Sequence, residues 1–178
     1  MDQRIVMKIS KSFLVVLTFC LTVVGATAAQ SGSREQTLLN SYVGNWRGES
    51  ILVGSDKPDP FRCRLSVTEG KDAKINYSGR CTLITTTLSV NGTIAYVEEN
   101  RRYEGAMSTN VGFTGLAVGI QRGDTISFNL KEKKKDRSGS DVRIGARLVL
   151  EGGTIVVYFE VEFNDSGNVM TADVPFAR

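Results

Sequence analysis

Histidine is absent from this 178-residue chain, and cysteine, proline and tryptophan are scarce, with three, three and one residues. Without histidine, Ser–His and Cys–His catalysis is excluded, and the usual zinc sites are missing. Paired carboxylates are the remaining option, namely Glu98 with Glu99 or Glu160 with Glu162. Arg143 is expected to face Glu162, which favours a solvated outer row over an acid–base pair. We therefore predict no enzyme, no metal site and no cofactor.

The N-terminus has the composition of a secretory signal peptide. Lys8 and Lys11 precede an apolar run from Phe13 to Val24, and residues 26–28 read Ala-Thr-Ala, a small-x-small cleavage pattern. The apolar run is shorter than the roughly 20 residues that a spanning helix needs. We predict that residues 1–29 are a cleaved signal peptide rather than a retained transmembrane anchor. The expected location is a bacterial periplasm, with secretion as an alternative.

Removal of this leader changes both the cysteine count and the charge. Cys20 leaves with it, so Cys63 and Cys81 remain as an even pair; lipid attachment at Cys20 is the rival interpretation, which the bulky Phe19 before it disfavours. The net charge falls from +3 for the whole chain to +1 for residues 30–178. Nucleic-acid binding normally requires a strong basic excess, so that class is excluded.

Cys63 and Cys81 lie symmetrically about Asp72 in a stretch that has the pattern of a β-hairpin. If residues 61–69 and 74–83 pair as antiparallel strands, Cys63 falls directly opposite Cys81. Apolar residues alternate in both strands, which supports this register. The sequence therefore predicts a cross-strand disulfide, which in turn requires an oxidising compartment.

The rest of the chain has the period-2 alternation of strands. Residues 30–41 are expected to form a short lead-in with a helical turn at 35–40, and residues 42–178 one domain. A Gly152-Gly153 turn sets Leu150 against Ile155 and Leu148 against Val157. The same register places Arg143 opposite Glu162.

Two further turns are predicted from glycine-containing sequences. A hairpin centred on Gly123 would set Ile120 against Ile126, Val118 against Phe128 and Leu116 against Leu130. Asn91-Gly92 has the residue pair typical of a tight two-residue turn. Consecutive hairpins indicate an antiparallel meander, and closure removes its exposed edges. We predict an all-β fold: one up-and-down barrel of eight to ten strands.

The interior of this barrel can be assigned from residues 115–120, where small and large side chains alternate. The small row is Gly115, Ala117 and Gly119, and facing inward it would leave room for a ligand. The Gly123 hairpin register instead turns the large row inward. We therefore predict a filled barrel, which favours a binding surface over a carrier.

The start of the first strand carries a recognisable motif. Gly44-Asn45-Trp46 is a Gly-x-Trp sequence that resembles the first motif of lipocalins and other calycin barrels. The resemblance implies that Trp46 closes one end of the barrel against a late basic residue, for which Arg147 and Arg178 are available. The chain is also similar, more weakly, to small periplasmic inhibitors of metalloproteases, in which an N-terminal tail equivalent to residues 30–41 enters the protease.

Two basic features on the surface are candidates for partner contacts. Arg64 is expected opposite Arg80 with Arg62 beside them, and the repulsion would be relieved either by Glu49 or by an anion or partner. Residues 131–137 form a charged stretch that is expected to be a solvated loop, or else a contact for anionic lipid or polysaccharide.

The predicted function is non-catalytic. We expect an exported cell-envelope protein that binds a macromolecular partner, either an envelope protein or an anionic envelope component, through its surface. A calycin-like carrier of a small apolar ligand is the first alternative, and a periplasmic protease inhibitor is the second. The identity of the partner or ligand is not encoded in any motif.

Overall fold

The computed structural model describes residues 28–54, 57–82, 87–135 and 139–178, with side chains from residue 34 onward. In this part of the chain a helix, α1 (Ala28–Asn40), precedes ten strands. The strands are β1 (Gly44–Leu52), β2 (Asp59–Glu69), β3 (Lys74–Thr82), β4 (Thr87–Val97), β5 (Arg102–Thr109), β6 (Thr114–Arg122), β7 (Thr125–Lys135), β8 (Asp141–Glu151), β9 (Thr154–Phe163) and β10 (Val169–Ala177). Most of the predicted signal peptide, Cys20 included, lies outside the described residues.

The described strands form a closed antiparallel barrel. Each strand pairs with the next one along the chain, and β1 also pairs with β10. This confirms the predicted up-and-down, all-β barrel. Because α1 leads directly into β1, it lies at the end of the barrel where β1 begins. We call this the helix end, and the opposite end, where β5 joins β6, the far end.

Alternation along the strands places the core inside the barrel. Buried side chains are found around the barrel, among them Trp46 of β1, Ile75 of β3, Tyr103 of β5, Phe128 of β7 and Ile155 of β9. Burial of such side chains stabilises each by about 1.5 to 3 kcal/mol relative to exposure. The core is therefore contributed by the whole circumference and not by one hairpin.

The helix is longer than the single turn predicted at residues 35–40. It spans 13 residues, and Leu39 is fully buried in the barrel core with Leu38 packed beside it. A helix this short is marginal in water, so tertiary packing stabilises it more than intrinsic propensity does. The local sequence carries no strong helix signal, so it predicts a helix shorter than the one that tertiary packing stabilises.

Two predicted hairpins have the expected register. Cys63 pairs with Cys81, and their sulfur atoms form a disulfide. Across the Gly152-Gly153 turn, Leu150 pairs with Ile155 and Leu148 with Val157. Both glycines have positive φ, which the tight turn requires.

The register predicted for the Gly123 hairpin is wrong by one residue. The turn has two residues, so Gln121 pairs with Ile126, Ile120 with Ser127 and Gly119 with Phe128. A Cβ on Gly119 would lie 2.7 Å from Phe128 Cε1 and 2.7 Å from Tyr103 Cβ. The small row therefore faces inward because Phe128 and Tyr103 need its space, and the large row faces outward.

Asn91-Gly92 does not form the predicted turn but lies within β4. Gly92 pairs with Tyr77 on one side and with Met107 on the other. A Cβ on Gly92 would lie 2.3 Å from the Tyr77 hydroxyl oxygen. The glycine is needed because the Tyr77 ring crosses it, not because the chain reverses there.

The charged stretch at residues 131–137 is a strand through Lys135 rather than a loop. Lys131 to Lys135 pair in register with Gly145 to Asp141 of β8. Lys131, Lys133 and Lys135 are exposed, whereas Glu132 and Lys134 are half-buried. Residues 136–138 lie outside the described part of the chain.

Candidate functional site

The helix end is closed by Trp46 and the last residue of the chain. Trp46 is 2% exposed, and its indole Nε1 donates a hydrogen bond to the Tyr42 carbonyl at 2.9 Å. The Arg178 guanidinium carbon lies 4.5 Å from the Trp46 ring centroid, and Arg178 donates a hydrogen bond to the Ser41 carbonyl. A cation placed over an aromatic ring is attracted electrostatically to the face of the ring. Of the two late arginines, Arg178 is thus the one that packs on Trp46.

Helix α1 covers the same end through polar contacts at its rim. The Tyr103 hydroxyl donates to Glu35, and Asn40 Nδ2 donates to Glu69 Oε1 at 3.0 Å. Burial, together with the Glu35 carboxylate, raises the pKa of Tyr103 above its usual range. These contacts hold the helix across the barrel end.

An apolar cavity of about 180 Å³ lies inside the barrel. It extends from Tyr42 at the helix end to Leu88, Val111 and Phe113 towards the far end. Side chains from the two walls that face each other line its middle: Phe61, Leu65, Tyr77, Val90, Leu130, Ala146, Leu148, Val157 and Phe159. The predicted filled barrel is therefore wrong.

The small row of β6 does not itself line this cavity. Its space is taken by neighbouring side chains: Phe128 approaches Gly119, and Leu130 lies across Gly115. Gly79 and Ala146, by contrast, do line it. A Cβ on Gly79 would lie 2.9 Å from Val90 Cγ1, so the side chains of neighbouring strands also pack against this glycine.

The disulfide forms part of the cavity wall. Cys63 and Cys81 both line it, and they cross-link β2 to β3 at the second pair from the far end of their ladder. A covalent link at this position limits how far the two strands can separate. The wall of the cavity is thereby held in place.

Few polar atoms face the cavity, and those that do have partners. The Tyr77 hydroxyl donates to the Ala106 carbonyl at 3.2 Å, and burial raises the pKa of Tyr77 to about 12. The Thr109 hydroxyl oxygen accepts from the Phe113 amide at 3.0 Å. No polar or charged residue is fully buried in the described part of the chain. The site can therefore recognise a molecule by shape and by the removal of apolar surface from water.

The carboxylate pairs considered for catalysis lie outside the cavity. Glu162 forms an ion pair with Arg143 across the β8–β9 ladder, and Glu160 is exposed. Glu98 and Glu99 are exposed in a 3-10 turn between β4 and β5. Neither pair faces an enclosed space that would exclude water.

The candidate arginine patch has the predicted register, and Glu49, one of the two predicted sources of relief, forms an ion pair within it. Arg64 pairs with Arg80, and Arg62 forms an ion pair with Glu49 at 3.6 Å. Arg47 lies on the other side of Arg64 in the β1–β2 register. Three exposed arginines, Arg47, Arg64 and Arg80, thus form one row across three strands. Arg47 was missed, although its position next to the inward Trp46 already predicts that it points outward.

The described residues contain no group of three or more cysteine, aspartate and glutamate side chains that could hold a metal ion. Among them there is also no helix of the length and hydropathy needed to cross a membrane.

Neither a family model nor a curated protein sequence matches the chain. The barrel is similar to the crystal structure of Rv2717c from M. tuberculosis, with 14% identity, a TM-score of 0.57, and coverage of 81% of this chain and 98% of that one. It is also similar to the S-type phycobiliprotein lyase CPES from Guillardia theta, with 11% identity, a TM-score of 0.49, and coverage of 82% and 94%. A designed fluorescence-activating β-barrel has 13% identity, a TM-score of 0.38, and coverage of 76% and 94%. At these identities the comparison with Rv2717c supports a small antiparallel barrel and nothing finer.

Proposed function

We propose that this protein binds a small apolar molecule inside its barrel. The observation that carries the proposal is the apolar cavity of about 180 Å³ between the β2–β4 wall and the β8–β9 wall. The sequence favours a surface-acting protein only if the barrel is filled, and the cavity removes that ground. Binding of an apolar ligand, the first alternative from the sequence, is therefore the leading function.

The size and chemistry of the cavity define the ligand class. An apolar cavity of roughly 150 Å³ stays dry and accepts benzene. The cavity of about 180 Å³ therefore suits a single aromatic ring or a short hydrocarbon chain. Its hydroxyls are already engaged, so a strongly polar or charged ligand would lose hydration without gaining partners.

The disulfide supports export as part of the proposal. Cys63 and Cys81 are bonded, and such bonds persist in oxidising compartments. A carrier in the periplasm or outside the cell fits this chemistry.

The cavity can be tested by titrating the purified protein with toluene in a calorimeter. We expect saturable binding at one site. Ala146→Trp should weaken it at least tenfold, because Ala146 lines the cavity and the indole would occupy the ligand volume. Ala146→Leu should have a smaller effect in the same direction, and it covers the case in which the tryptophan variant does not fold.

Lys131→Trp is the matched control. Lys131 is exposed on the outer face of β7 and pairs with Gly145, so an indole there enlarges the surface and leaves the interior unchanged. Its toluene affinity should equal that of the parent protein. The proposal is refuted if the parent does not bind toluene, or if the folded Ala146 variants bind as tightly as the Lys131 variant.

A second function is favoured by the arginine row. Arg47, Arg64 and Arg80 lie side by side, and like charges directly opposed across strands are unfavourable unless something neutralises them. We propose an acidic surface of an envelope protein, and not a lipid bilayer, as the partner of this row. Arg64→Gln with Arg80→Gln should therefore leave binding to anionic vesicles unchanged in the experiment described below, and a loss of vesicle binding in this pair would contradict the assignment.

A further inference from the structure

The barrel wall is incompletely hydrogen-bonded between β6 and β7. Their ladder runs from the turn only as far as Gly119 and Phe128. Beyond that point β6 stays paired with β5 down to Thr114, and β7 stays paired with β8 up to Lys135. The two strands are therefore held from their outer sides while they separate from each other towards the far end.

A cavity-lining side chain of β7 reaches β6 at this separation. A Cβ on Gly115 would lie 2.5 Å from Leu130 Cδ2, so the Leu130 side chain lies directly against β6. Leu130 also lines the cavity. Movement of a side chain, without breakage of any ladder hydrogen bond, would thus open the cavity sideways between β6 and β7.

The outer surface at this place is apolar on one strand and basic on the other. Leu116 is 86% exposed, Ile120 51% and Val118 47%, all on the outer face of β6. Lys131 and Lys133 are exposed on the neighbouring β7, and no described carboxylate forms an ion pair with either of them. We call these five outward side chains the β6–β7 face.

The composition of this face identifies the kind of surface that it fits. Apolar side chains beside lysines are typical of proteins that lie on anionic membranes. The apolar side chains enter the acyl region, and the lysines contact the lipid phosphates. A second copy of the chain fits less well, because its lysines would repel the lysines of this face. In addition, the area of three apolar side chains falls short of the roughly 800 Å² that a stable interface buries per partner.

We propose that the β6–β7 face docks on an anionic phospholipid bilayer, which places the separation between β6 and β7 against the lipid. Docking itself is independent of the proposed ligand binding in the cavity. Entry of an apolar ligand from the bilayer through this separation would rest on the proposed ligand binding. The two are distinguishable because docking is read from vesicle binding and cavity binding from toluene titration in solution.

The experiment measures co-sedimentation of the purified protein with phosphatidylcholine vesicles, with and without phosphatidylglycerol. We expect binding to the anionic vesicles that weakens as salt is added. The pair Lys131→Gln and Lys133→Gln should weaken it about 25-fold, from about a fivefold loss for each lysine. The pair Leu116→Ser and Val118→Ser should weaken it at least tenfold.

Matched controls remove apolar side chains and positive charges from the region of strands β1 to β3, across the barrel from the β6–β7 face. Ile51→Ser with Val53→Ser removes exposed apolar side chains from the β1 region, and Arg64→Gln with Arg80→Gln removes two positive charges. Both controls should bind anionic vesicles as the parent does. Every variant keeps the same N-terminal segment, so differences in binding report on the substituted face.

Three outcomes would overturn the proposal. They are absence of binding by the parent, undiminished binding by the β6–β7 variants, and loss of binding in the arginine pair instead, which would assign docking to the arginine row. Circular dichroism should show native folds throughout, as expected for substitutions of exposed side chains.

Discussion

Replacement of Gly119 by alanine tests the inward direction of the small row on β6. The new Cβ would lie 2.7 Å from Tyr103 Cβ, an atom bound directly to the backbone, and 2.7 Å from Phe128 Cε1. Tyr103 and Phe128 are both buried, so neither can swing into solvent. Overpacking of this kind costs about 1 to 3 kcal/mol.

A smaller effect acts in the opposite direction. Gly119 does not have positive φ, so alanine adopts its conformation and restricts the unfolded chain, which stabilises the protein by about 0.4 to 1 kcal/mol. The net expectation for Gly119→Ala is a loss of about 1 to 2 kcal/mol. For a domain of this size, that lowers the melting temperature by about 2 to 8 °C.

Leu116→Ala serves as the control on the same strand. Leu116 is 86% exposed, so its truncation should change the free energy of unfolding by no more than about 0.5 kcal/mol. Both variants are measured by urea unfolding, followed through the fluorescence of the single tryptophan, Trp46.

The alternative register, with Leu116 and Ile120 inside, predicts the reverse order. Gly119→Ala would then be neutral or stabilising, and Leu116→Ala would cost about 2 to 5 kcal/mol as a core truncation. Observation of that order would refute the inward small row and, with it, the outward apolar row of the β6–β7 face.

Two more predictions concern the cavity wall. Joint replacement of Cys63 and Cys81 by alanine should lower the free energy of unfolding by about 3 kcal/mol, since the bond closes a loop with a sequence separation of 18 residues; urea unfolding checks this, and an unchanged midpoint would contradict it. Burial raises the pKa of Tyr77 to about 12. Between pH 10 and 12 the unfolded chain therefore releases a proton that the folded chain retains. The free energy of unfolding should fall by up to about 2 to 3 kcal/mol as pH rises through that range. Tyr77→Phe should make this fall shallower in urea titrations, whereas an identical slope in the variant would assign it to other groups.

Local patterns in the sequence predicted the hairpins whose turn and alternation agree. Around Gly152-Gly153 a two-residue turn allows one register, and that register also places Leu148, Leu150, Ile155 and Val157 on one face. The Cys63–Cys81 hairpin has the same agreement between turn centre and alternation. Where two local signals agree, little remains for the rest of the protein to decide.

The Gly123 hairpin lacked such agreement. Two-residue and three-residue turns were both compatible with glycine, and both strands offered apolar side chains. The volume of Tyr103, which arrives from β5, decided between the two registers, because only glycine leaves room at position 119. That contact joins residues 16 positions apart and has no local signature.

The candidate site depended on tertiary structure in the same way. Asn91-Gly92 has the sequence of a turn, yet Gly92 is used as space beneath the ring of Tyr77. The cavity is likewise lined by residues from strands far apart in the chain, such as Gly79 of β3 and Ala146 of β8. Packing inside the barrel depends on the side-chain volumes of several strands together, and no short segment of the sequence includes all of them.

The sequence by itself determined the all-β class, the antiparallel meander and the disulfide, because alternation, turn residues and cysteine spacing act over a few neighbouring positions. Only the tertiary structure decided the direction of β6, the separation of β6 from β7, the Trp46–Arg178 closure and the cavity. These features depend on which distant side chains compete for the same interior volume. All ten described strands enclose the same interior, so which side chain occupies each part of it is decided only when the strands pack together.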